Sequence, residues 1–274
     1  MKRFLNLKMW GYFLMMALCV SITACSKDDE ENENGGGGNG ISGFWGKFLQ
    51  YTENDGDQGT LDFTYDHQGR IVKATEKYWE DGEVEEYTTT YSYESDKIIE
   101  IDKEVGDDSW YYKITHYLND KGLIISSKGE EYENGVIEDD YNEKYYEYDD
   151  QNRLISRGRK GGYDYELNMP IIYWENISWE GENIVSIGGE SYYTYTMTYY
   201  TDKPDTRGVN GFNYGFTDGY GILYASGYFG KKSANLLKSD TSERETYSYT
   251  FEGDKVKTMT GSSDYGSYII TFNY

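Results

Sequence analysis

A nine-residue pattern that recurs along the chain constrains the fold more than any other feature. FTYDHQGRI, residues 63–71, matches YEYDDQNRL, residues 146–154: an aromatic residue, a tyrosine and an aspartate lead through a short polar loop to an arginine and an aliphatic residue. Aspartate and asparagine suit such loops because their side chains bond to the nearby backbone and tolerate positive φ. Each copy therefore predicts two antiparallel strands joined by a short turn.

Looser copies extend the pattern to six units. The second aromatic residue marks each unit, at Tyr65, Tyr93, Tyr117, Tyr148, Trp179 and Phe251. The first five markers recur every 24 to 31 residues, which is the length of two strands and two turns. Asp81-Gly82 and Asn134-Gly135, dipeptides that favour tight two-residue turns, lie between markers. The spacing predicts a β-meander, in which successive hairpins pair with their neighbours.

Tyrosine, at 32 of 274 residues, is concentrated in alternating runs. In SYYTYTMTYYT, residues 191–201, aromatic and apolar residues fall on one face and threonines on the other, and residues 87–94 and 267–274 alternate in the same way. A period of two with one apolar face is typical of antiparallel strands that are buried on one side. We therefore predict an all-β fold: an antiparallel β-meander of repeated hairpins that forms a curved or partly closed sheet.

The last two markers, Trp179 and Phe251, are separated by a much longer stretch of different composition. Residues 201–246 contain a proline and many glycines, and we interpret them as an insertion packed across the sheet, not as a separate domain. One short helix is predicted near residues 218–230, with Asp218 as its cap, an apolar side that continues to Phe229, and Gly230 at its end.

The N-terminal residues predict export and lipid anchoring. Residues 1–24 combine a basic start with an apolar stretch from Met9 to Val20, which is too short to span a bilayer and indicates a signal peptide. Ile22-Thr23-Ala24-Cys25 resembles a bacterial lipobox, so cleavage is expected after Ala24 and lipidation at Cys25. An ordinary signal peptide with a chance cysteine is the alternative.

An acidic and glycine-rich tether, residues 25–40, follows the cleavage site. SKDDEE, residues 26–31, resembles the acidic export tag of Bacteroidetes surface lipoproteins, and GGGGNG at residues 35–40 is typical of a flexible linker. The resemblance implies a lipid anchor in the outer membrane with the domain facing the cell exterior; the alternatives are the periplasmic face and a merely solvated tether. Residues 41–274 then form a single all-β repeat domain.

Charge and residue usage restrict the chemistry. Removing residues 1–24 changes the formal net charge from −23 to −26, so we expect no nucleic-acid partner, because few cations would neutralise phosphates. Cys25 is then the remaining cysteine, and His67 and His116 are the histidines, which excludes a disulfide, a thiol nucleophile and a multi-histidine metal site. No metal and no cofactor are expected. The expected partners are the membrane, through the lipid on Cys25, and a glycan or a protein.

Three groups of residues have both a functional and a structural interpretation. Residues 55–59 begin like a calcium loop but lack oxygen ligands at later positions, which favours a polar turn. Glycoside hydrolysis needs two carboxylates close together, and no such pair can be chosen among 49 acidic residues. Exposed aromatic residues would suit a stacking platform for sugars and equally a buried aromatic core: Trp79, Trp110, Trp174 and Trp179, with the tyrosine runs.

The hairpin unit is similar to the YD repeat of large secreted bacterial shell proteins. The whole layout resembles a family of Bacteroidetes lipoproteins of unknown function with a porin-like β-sheet fold, through the lipobox, the acidic tether, the Tyr-Asp hairpins, GYFGKKSANLL at residues 227–237 and the aromatic C-terminal strand. The resemblance implies a meandering, partly closed antiparallel sheet and no particular activity. Many charges on the polar strand faces argue against a lipid-facing barrel, which needs an apolar outer band.

We therefore expect a surface lipoprotein that is not an enzyme and that binds a glycan, a peptide or a partner protein. A carboxylate-dependent glycan hydrolase on the same scaffold and a structural component of an envelope complex are the alternatives. Cys25 is the one functional residue that the sequence assigns. It assigns no catalytic residue, no metal ligand and no ligand-binding residue.

His67 follows Asp66 in the first unit, where the closest internal copy has Asp150. Because the repeat places this position in a hairpin loop, His67→Ala should leave both the fold and the function nearly unchanged. Unfolding curves and binding or activity assays of the variant check this expectation. Loss of a specific activity in a correctly folded variant would restore a catalytic role for the Asp66-His67 pair.

Overall fold

A computed structural model describes residues 48–53, 57–80, 83–164, 169–189, 194–212, 220–242 and 244–274. Within these ranges the chain forms sixteen strands. They are β1 (Phe48–Glu53), β2 (Gln58–Tyr65), β3 (Ile71–Glu80), β4 (Glu83–Tyr93), β5 (Lys97–Glu104), β6 (Trp110–Leu118), β7 (Ile124–Glu133), β8 (Val136–Tyr148), β9 (Leu154–Asp164), β10 (Met169–Glu180), β11 (Asn183–Gly188), β12 (Tyr195–Pro204), β13 (Asn235–Asp240), β14 (Thr246–Glu252), β15 (Lys255–Ser263) and β16 (Gly266–Asn273).

Each strand pairs antiparallel with its neighbours in sequence, and β1 pairs with β16 to close a barrel. In the closing pair Leu49 lies opposite Phe272 and Tyr51 lies opposite Ile270, and all four side chains are buried. The predicted antiparallel β-meander is confirmed. The sheet is more complete than the partly closed form expected, because the aromatic C-terminal strand supplies the pairing partner for β1.

The repeat units form turns at one end of the barrel, which we term the repeat rim. Each marker residue lies within the last two residues of an even-numbered strand. In the first unit Asp66 Oδ1 accepts hydrogen bonds from the backbone N–H groups of Gln68 and Arg70, each at 2.9 Å, and Asp149 makes the equivalent bonds in its own loop. His67 is exposed in this turn, as the repeat predicts.

The third unit is offset by one residue from the expected alignment. Asn119 Oδ1 accepts the loop bonds from the N–H groups of Lys121 and Leu123, so Asn119 is the equivalent of the loop aspartate. Its predecessor Leu118 therefore takes the lumen-facing position, and the expected marker Tyr117 lies on the outer face with 44% of its surface exposed. In this unit the aliphatic Leu118 therefore occupies the position that the aromatic Tyr65 occupies in the first unit.

At the repeat rim, aromatic side chains link neighbouring strands by hydrogen bonds to backbone carbonyl groups. Tyr93 Oη donates to the Ile71 carbonyl at 2.7 Å, and Trp179 Nε1 donates to the Leu154 carbonyl at 2.8 Å. Four other tyrosines make the same kind of bond: Tyr148 to Ile124, Tyr199 to Ile184, Tyr249 to Leu237 and Tyr274 to Val256. Ile71 and Leu154 each adjoin a register shift in the pairing with the preceding strand. The rings thus satisfy carbonyl groups beside β-bulges, where the ladder is irregular.

The described residues between β12 and β13, which are 205–212 and 220–234, fold into the lumen, so the predicted insertion, residues 201–246, also includes barrel strands. This connection, which we term the plug, contains a 3-10 helix, Val209–Phe212, and a five-residue helix, α1 (Gly221–Ala225). Its rings contact widely separated strands: Tyr228 stacks on Tyr93 of β4, Phe229 lies edge-on to Tyr146 of β8, and Phe212 lies edge-on to Phe272 of β16. The plug therefore crosses the lumen near the repeat rim.

The short helix is where the sequence predicted it but ends earlier. It stops at Ala225 instead of continuing to Phe229, because Gly227 adopts a left-handed conformation with φ of 87°. The N–H groups of Gly227 and Tyr228 bond back to carbonyl groups of the last helical turn, which is a Schellman ending. Asp218, the expected cap, lies outside the described residues.

Candidate functional site: a polar cup in the barrel

The half of the lumen farther from the repeat rim forms a space that we term the cup. Glu104 and Arg159 face the lumen there and are exposed, whereas Ile98 and His116, which lie nearer the plug, are fully buried. A barrel of sixteen strands is wide enough for an aqueous interior. The described wall is therefore exposed toward the rim opposite the repeats and buried toward the plug. The cup is lined by Glu76, Asp102, Trp110, Tyr112, Glu131, Lys144 and Arg159.

Two lumen-facing carboxyl groups have strongly altered acidity. Burial raises the pKa of Glu76 to about 8, and the charge of Asp102 contributes to the same shift. Burial also raises the pKa of Asp102 to about 7, although the Thr89 hydroxyl, which donates a hydrogen bond to Asp102 Oδ1 at 2.9 Å, favours the ionised form. Both groups can therefore take up or release a proton close to neutral pH.

His116 lies between two polar side chains of the lumen wall, on the side nearer the plug. Its Nδ1 atom lies 2.8 Å from Ser127 Oγ, and its Nε2 atom lies 3.2 Å from Glu100 Oε2. All three residues are buried, so the serine is not open to a substrate. The imidazole ring also meets Tyr220 edge-on at 4.9 Å. This cluster joins β5, β6 and β7 and positions the plug residue Tyr220.

A tryptophan, a tyrosine and a glutamate form a compact group in the cup wall. The rings of Trp110 and Tyr112 meet edge to face with centroids 4.3 Å apart. Trp110 Nε1 donates a hydrogen bond to Glu131 Oε1 at 2.8 Å, which fixes the indole plane. Trp110, Tyr112 and Glu131 are all half-buried, so part of each remains accessible from the lumen.

Basic groups occupy the adjoining part of the lumen wall, on β8 and β9. The Lys144 ammonium lies 4.6 Å from the centroid of the Tyr220 ring. Arg157 Nε donates to Glu175 Oε2 at 2.7 Å, and the Tyr195 hydroxyl donates to Glu175 Oε1 at 3.1 Å. The lumen therefore has a predominantly acidic wall on β3 to β7 and cations on β8 and β9, which suits a polar ligand.

The structure separates the aromatic residues that the sequence grouped as one stacking platform. Trp110 lies in the cup, and Trp179 is fixed in the repeat rim by its bond to Leu154. Trp79 and Trp174 lie on the outer face, because the strand positions next to them point into the lumen. A single platform made of all four tryptophans is therefore wrong.

Sequence reasoning missed Glu76, Glu100, Asp102 and His116. The one available signal was the alternation in KIIEIDKE, residues 97–104, where Ile98, Glu100 and Asp102 share a face and Ile99 and Ile101 share the other. Because each face contains isoleucine, the alternation does not show which one is buried.

The remaining candidates from the sequence have structural roles or lie outside the described residues. Asp57, in the calcium-like segment, accepts a hydrogen bond from the Tyr78 hydroxyl at 2.9 Å, and residues 55 and 56 are not described. Across the described ranges, no group of three or more His, Cys, Asp or Glu residues could hold a metal ion. No helix in the described part of the chain is long and apolar enough to cross a membrane. Cys25 and the tether lie outside the described residues.

Ion pairs cover part of the outer face of the barrel. They join neighbouring strands: Lys77 to Glu86 at 2.8 Å, Lys113 to Glu130 at 2.8 Å, and Lys160 to Glu143 at 2.9 Å. Surface pairs of this kind add little stability in water. In hydrocarbon, however, ionised side chains are costly, and a membrane-spanning barrel has an apolar band at such positions. These ion-paired positions are therefore better suited to water than to hydrocarbon.

The raised pKa of Glu76 makes the stability of the barrel depend on pH. Between pH 4.5 and about 8 the folded chain keeps a proton on Glu76 that the unfolded chain loses, so the free energy of unfolding decreases as the pH rises through this window. Glu76→Gln removes the penalty and should stabilise the barrel at pH 9 by about 1 to 3 kcal/mol, with little effect at pH 4. Urea unfolding at several pH values measures the difference.

Glu138→Gln, at an exposed position of β8, is the matched control for the same experiment. It should change the unfolding free energy equally at both pH values. A Glu76→Gln variant that is no more stable than the unchanged chain at pH 9 would contradict the proposed burial of this carboxyl group.

Comparison with known proteins relates the chain to others by fold. No protein-family model matches the chain, and no curated protein matches it in sequence. It is similar to the solved structure of a porin-like protein from Bacteroides uniformis ATCC 8492, with a TM-score of 0.57 and 15% identity over 83% of this chain and 96% of that one. A porin-like protein from Bacteroides vulgatus ATCC 8482 matches with a TM-score of 0.45 and 15% identity over 82% and 96% of the two chains. The first likeness shows that this chain has a porin-like β fold.

Proposed function

We propose that the protein is a lipid-anchored binding module of the outer membrane that holds its barrel in water and binds a glycan in the cup. The lipobox at Cys25 and the acidic tether support the anchor and an orientation toward the cell exterior. The ion pairs on the outer face support an aqueous surrounding. In this proposal the barrel is porin-like in shape, and its lumen is a binding site that the plug closes at one end.

We propose a glycan as the ligand because of the group formed by Trp110, Tyr112 and Glu131. A pyranose ring has an apolar C–H face that packs on an aromatic ring, while its hydroxyl groups bond to charged side chains. The cup offers both kinds of contact, since exposed Glu104 lies on the neighbouring strand β5 and exposed Arg159 lies farther round the same lumen wall, on β9. A peptide and a partner protein are the other ligands that such a wall could accept.

We propose that binding occurs without catalysis, and one observation favours the hydrolase alternative. Glycosidases pair a carboxylic acid of raised pKa with a second carboxylate. Glu76 and Asp102 both have raised pKa values and lie on β3 and β5, with β4 between them. Glu76, which is half-buried, would therefore supply an acid if a glycosidic bond were placed against it, whereas Asp102 is buried.

Calorimetric titration of the chain lacking residues 1–40 with a panel of soluble oligosaccharides measures the affinity of the cup. Trp110→Ala removes the ring that would stack on the sugar and releases Glu131, so it should weaken binding at least about tenfold, or 1.4 kcal/mol. Trp79→Ala is the matched control, because Trp79 lies on the outer face of β3. Equal loss of affinity in both variants, or no binding to any oligosaccharide, would contradict the proposal.

Release of reducing ends in the same samples separates binding from hydrolysis. The non-catalytic proposal expects none. Products that form with the unchanged chain and disappear in Glu76→Gln or Asp102→Asn would replace it with the hydrolase.

Lipid anchoring is tested at Cys25. Cys25→Ala should abolish labelling of the protein by radioactive fatty acid and move it from the membrane fraction to the soluble fraction. Cys19→Ala, which alters the cysteine within the signal peptide, is the control and should leave both properties unchanged. Protease treatment of intact cells then tests orientation, because a chain that faces the exterior is digested without cell lysis. A Cys25→Ala variant that stays labelled and membrane-bound would refute the anchor.

A further inference from the structure

A row of side chains crosses the outer face of the barrel from β6 to β10. The strand pairing aligns one residue of each strand: Tyr117, Ser126, Tyr145, Gly158 and Trp174. Residues next to them along the strands are buried on the lumen side: His116, Ser127, Tyr146 and Arg157. The aligned residues, which we term the outer aromatic row, therefore point away from the lumen.

Aromatic and small residues alternate along the outer aromatic row. Neighbouring strands lie about 4.8 Å apart, so the aromatic positions recur about every 10 Å and the row extends for about 20 Å. Ser126 and Gly158 leave space between the rings. Tyr117 and Trp174 expose 44% and 39% of their surfaces, and Tyr145 between them is half-buried. The row thus presents evenly spaced rings to the outside.

Gly158 determines how the Trp174 indole lies. A Cβ atom at position 158 would be 2.9 Å from Trp174 Cε3 and 2.8 Å from Ile172 Cγ2, so any other residue would push the ring away. The indole therefore lies over the backbone of β9 and remains 39% exposed. The Tyr145 ring leans toward the same position, with its centroid 6.4 Å from that of Trp174.

The borders of the outer aromatic row differ in polarity. Toward the repeat rim, Ile125 and Ile155 expose 40% and 37% of their surfaces. On the other side the Tyr145 hydroxyl donates to Glu143 at 2.8 Å, and Glu143 pairs with Lys160 at 2.9 Å. The pair neutralises its own charge while its oxygen and nitrogen atoms can still bond to hydroxyl groups. The row therefore combines apolar faces with an uncharged polar edge.

We infer that the outer aromatic row binds a neutral polysaccharide that runs across the strands. Sugar rings stack on Tyr117, Tyr145 and Trp174, and their hydroxyl groups bond along the edge formed by Glu143 and Lys160. A long chain with repeating apolar faces matches a row of evenly spaced rings. A protein interface buries about 800 Å² on each partner, which is a broader area than one row of three rings.

This site is separate from the cup and goes beyond the function proposed for it. The row lies on the outer surface, whereas the cup lies within the lumen. The outer aromatic row would hold a polymer while the cup remains free for a soluble fragment. Trp110→Ala should therefore leave polymer binding unchanged, and variants of the row should leave the cup unchanged.

The test is sedimentation of the full chain, in a non-ionic detergent, with amorphous cellulose, insoluble xylan and insoluble mannan. At least one polymer should deplete the chain from solution, and Trp174→Ala and Tyr117→Ala should each weaken binding at least tenfold. Gly158→Val keeps every ring but displaces the Trp174 indole, and it should weaken binding to a similar degree. Trp79→Ala, outside the row, should bind like the unchanged chain, and circular dichroism confirms that each variant is folded.

Several outcomes would overturn the inference. One is that none of the three polymers binds the full chain, and another is that folded Trp174→Ala binds as well as the unchanged chain. Analytical ultracentrifugation tests whether a second copy of the chain binds to the outer aromatic row, and vesicle flotation tests whether lipid does. Self-association or binding to phosphatidylcholine vesicles that Trp174→Ala abolishes, without polymer binding, would assign the row to a second copy or to lipid. Polymer binding that Trp174→Ala abolishes would stand even if the cup bound no oligosaccharide.

Discussion

Pairing between β1 and β16 is the constraint on which the rest of the structure depends. It joins the first and last strands of the meander through Leu49, Tyr51, Ile270 and Phe272 and so turns a sheet into a barrel. Because side chains alternate along every strand, closure assigns each residue either to the lumen or to the outside. It also satisfies the backbone groups that two open edges would leave unpaired.

A barrel of this size encloses more space than its own side chains can fill, and the plug and the cup are two consequences. The plug occupies the lumen near the repeat rim, where aromatic rings of the wall and of the plug pack together. Beyond it the lumen wall is polar: Asp102 is buried, Glu76 is half-buried and Arg159 is exposed. Glu100, His116 and Ser127 sit at the boundary and satisfy one another's polar atoms, as buried groups must.

Because side chains alternate between the lumen and the outside along each strand, the barrel has two aromatic surfaces of different shape. Trp110 and Tyr112 on β6 face inward beside carboxylates, while Tyr117 on the same strand faces outward in line with Tyr145 and Trp174. We propose the concave inner surface as the site of a short, soluble ligand and the outer row as the site of a long one. In the arrangement that we propose, a lipid on Cys25 and the tether of residues 25–40 would present both surfaces to the medium.

The sequence alone determined the strands, their order and the turns, because these depend on local spacing: the Asp66 and Asp149 loops, the tyrosine alternation and the Gly-rich interruption each act within a few residues. It also indicated the site of the short helix, although not its end at Gly227. Tertiary structure decided closure, because the two strands that pair in it, β1 and β16, come from opposite ends of the meander. It also decided which face of each strand became the lumen. Residues 97–104 carry isoleucines on both faces, so only the closed barrel placed Glu100 and Asp102 inside, and only strand register aligned Tyr117, Tyr145 and Trp174 across five strands.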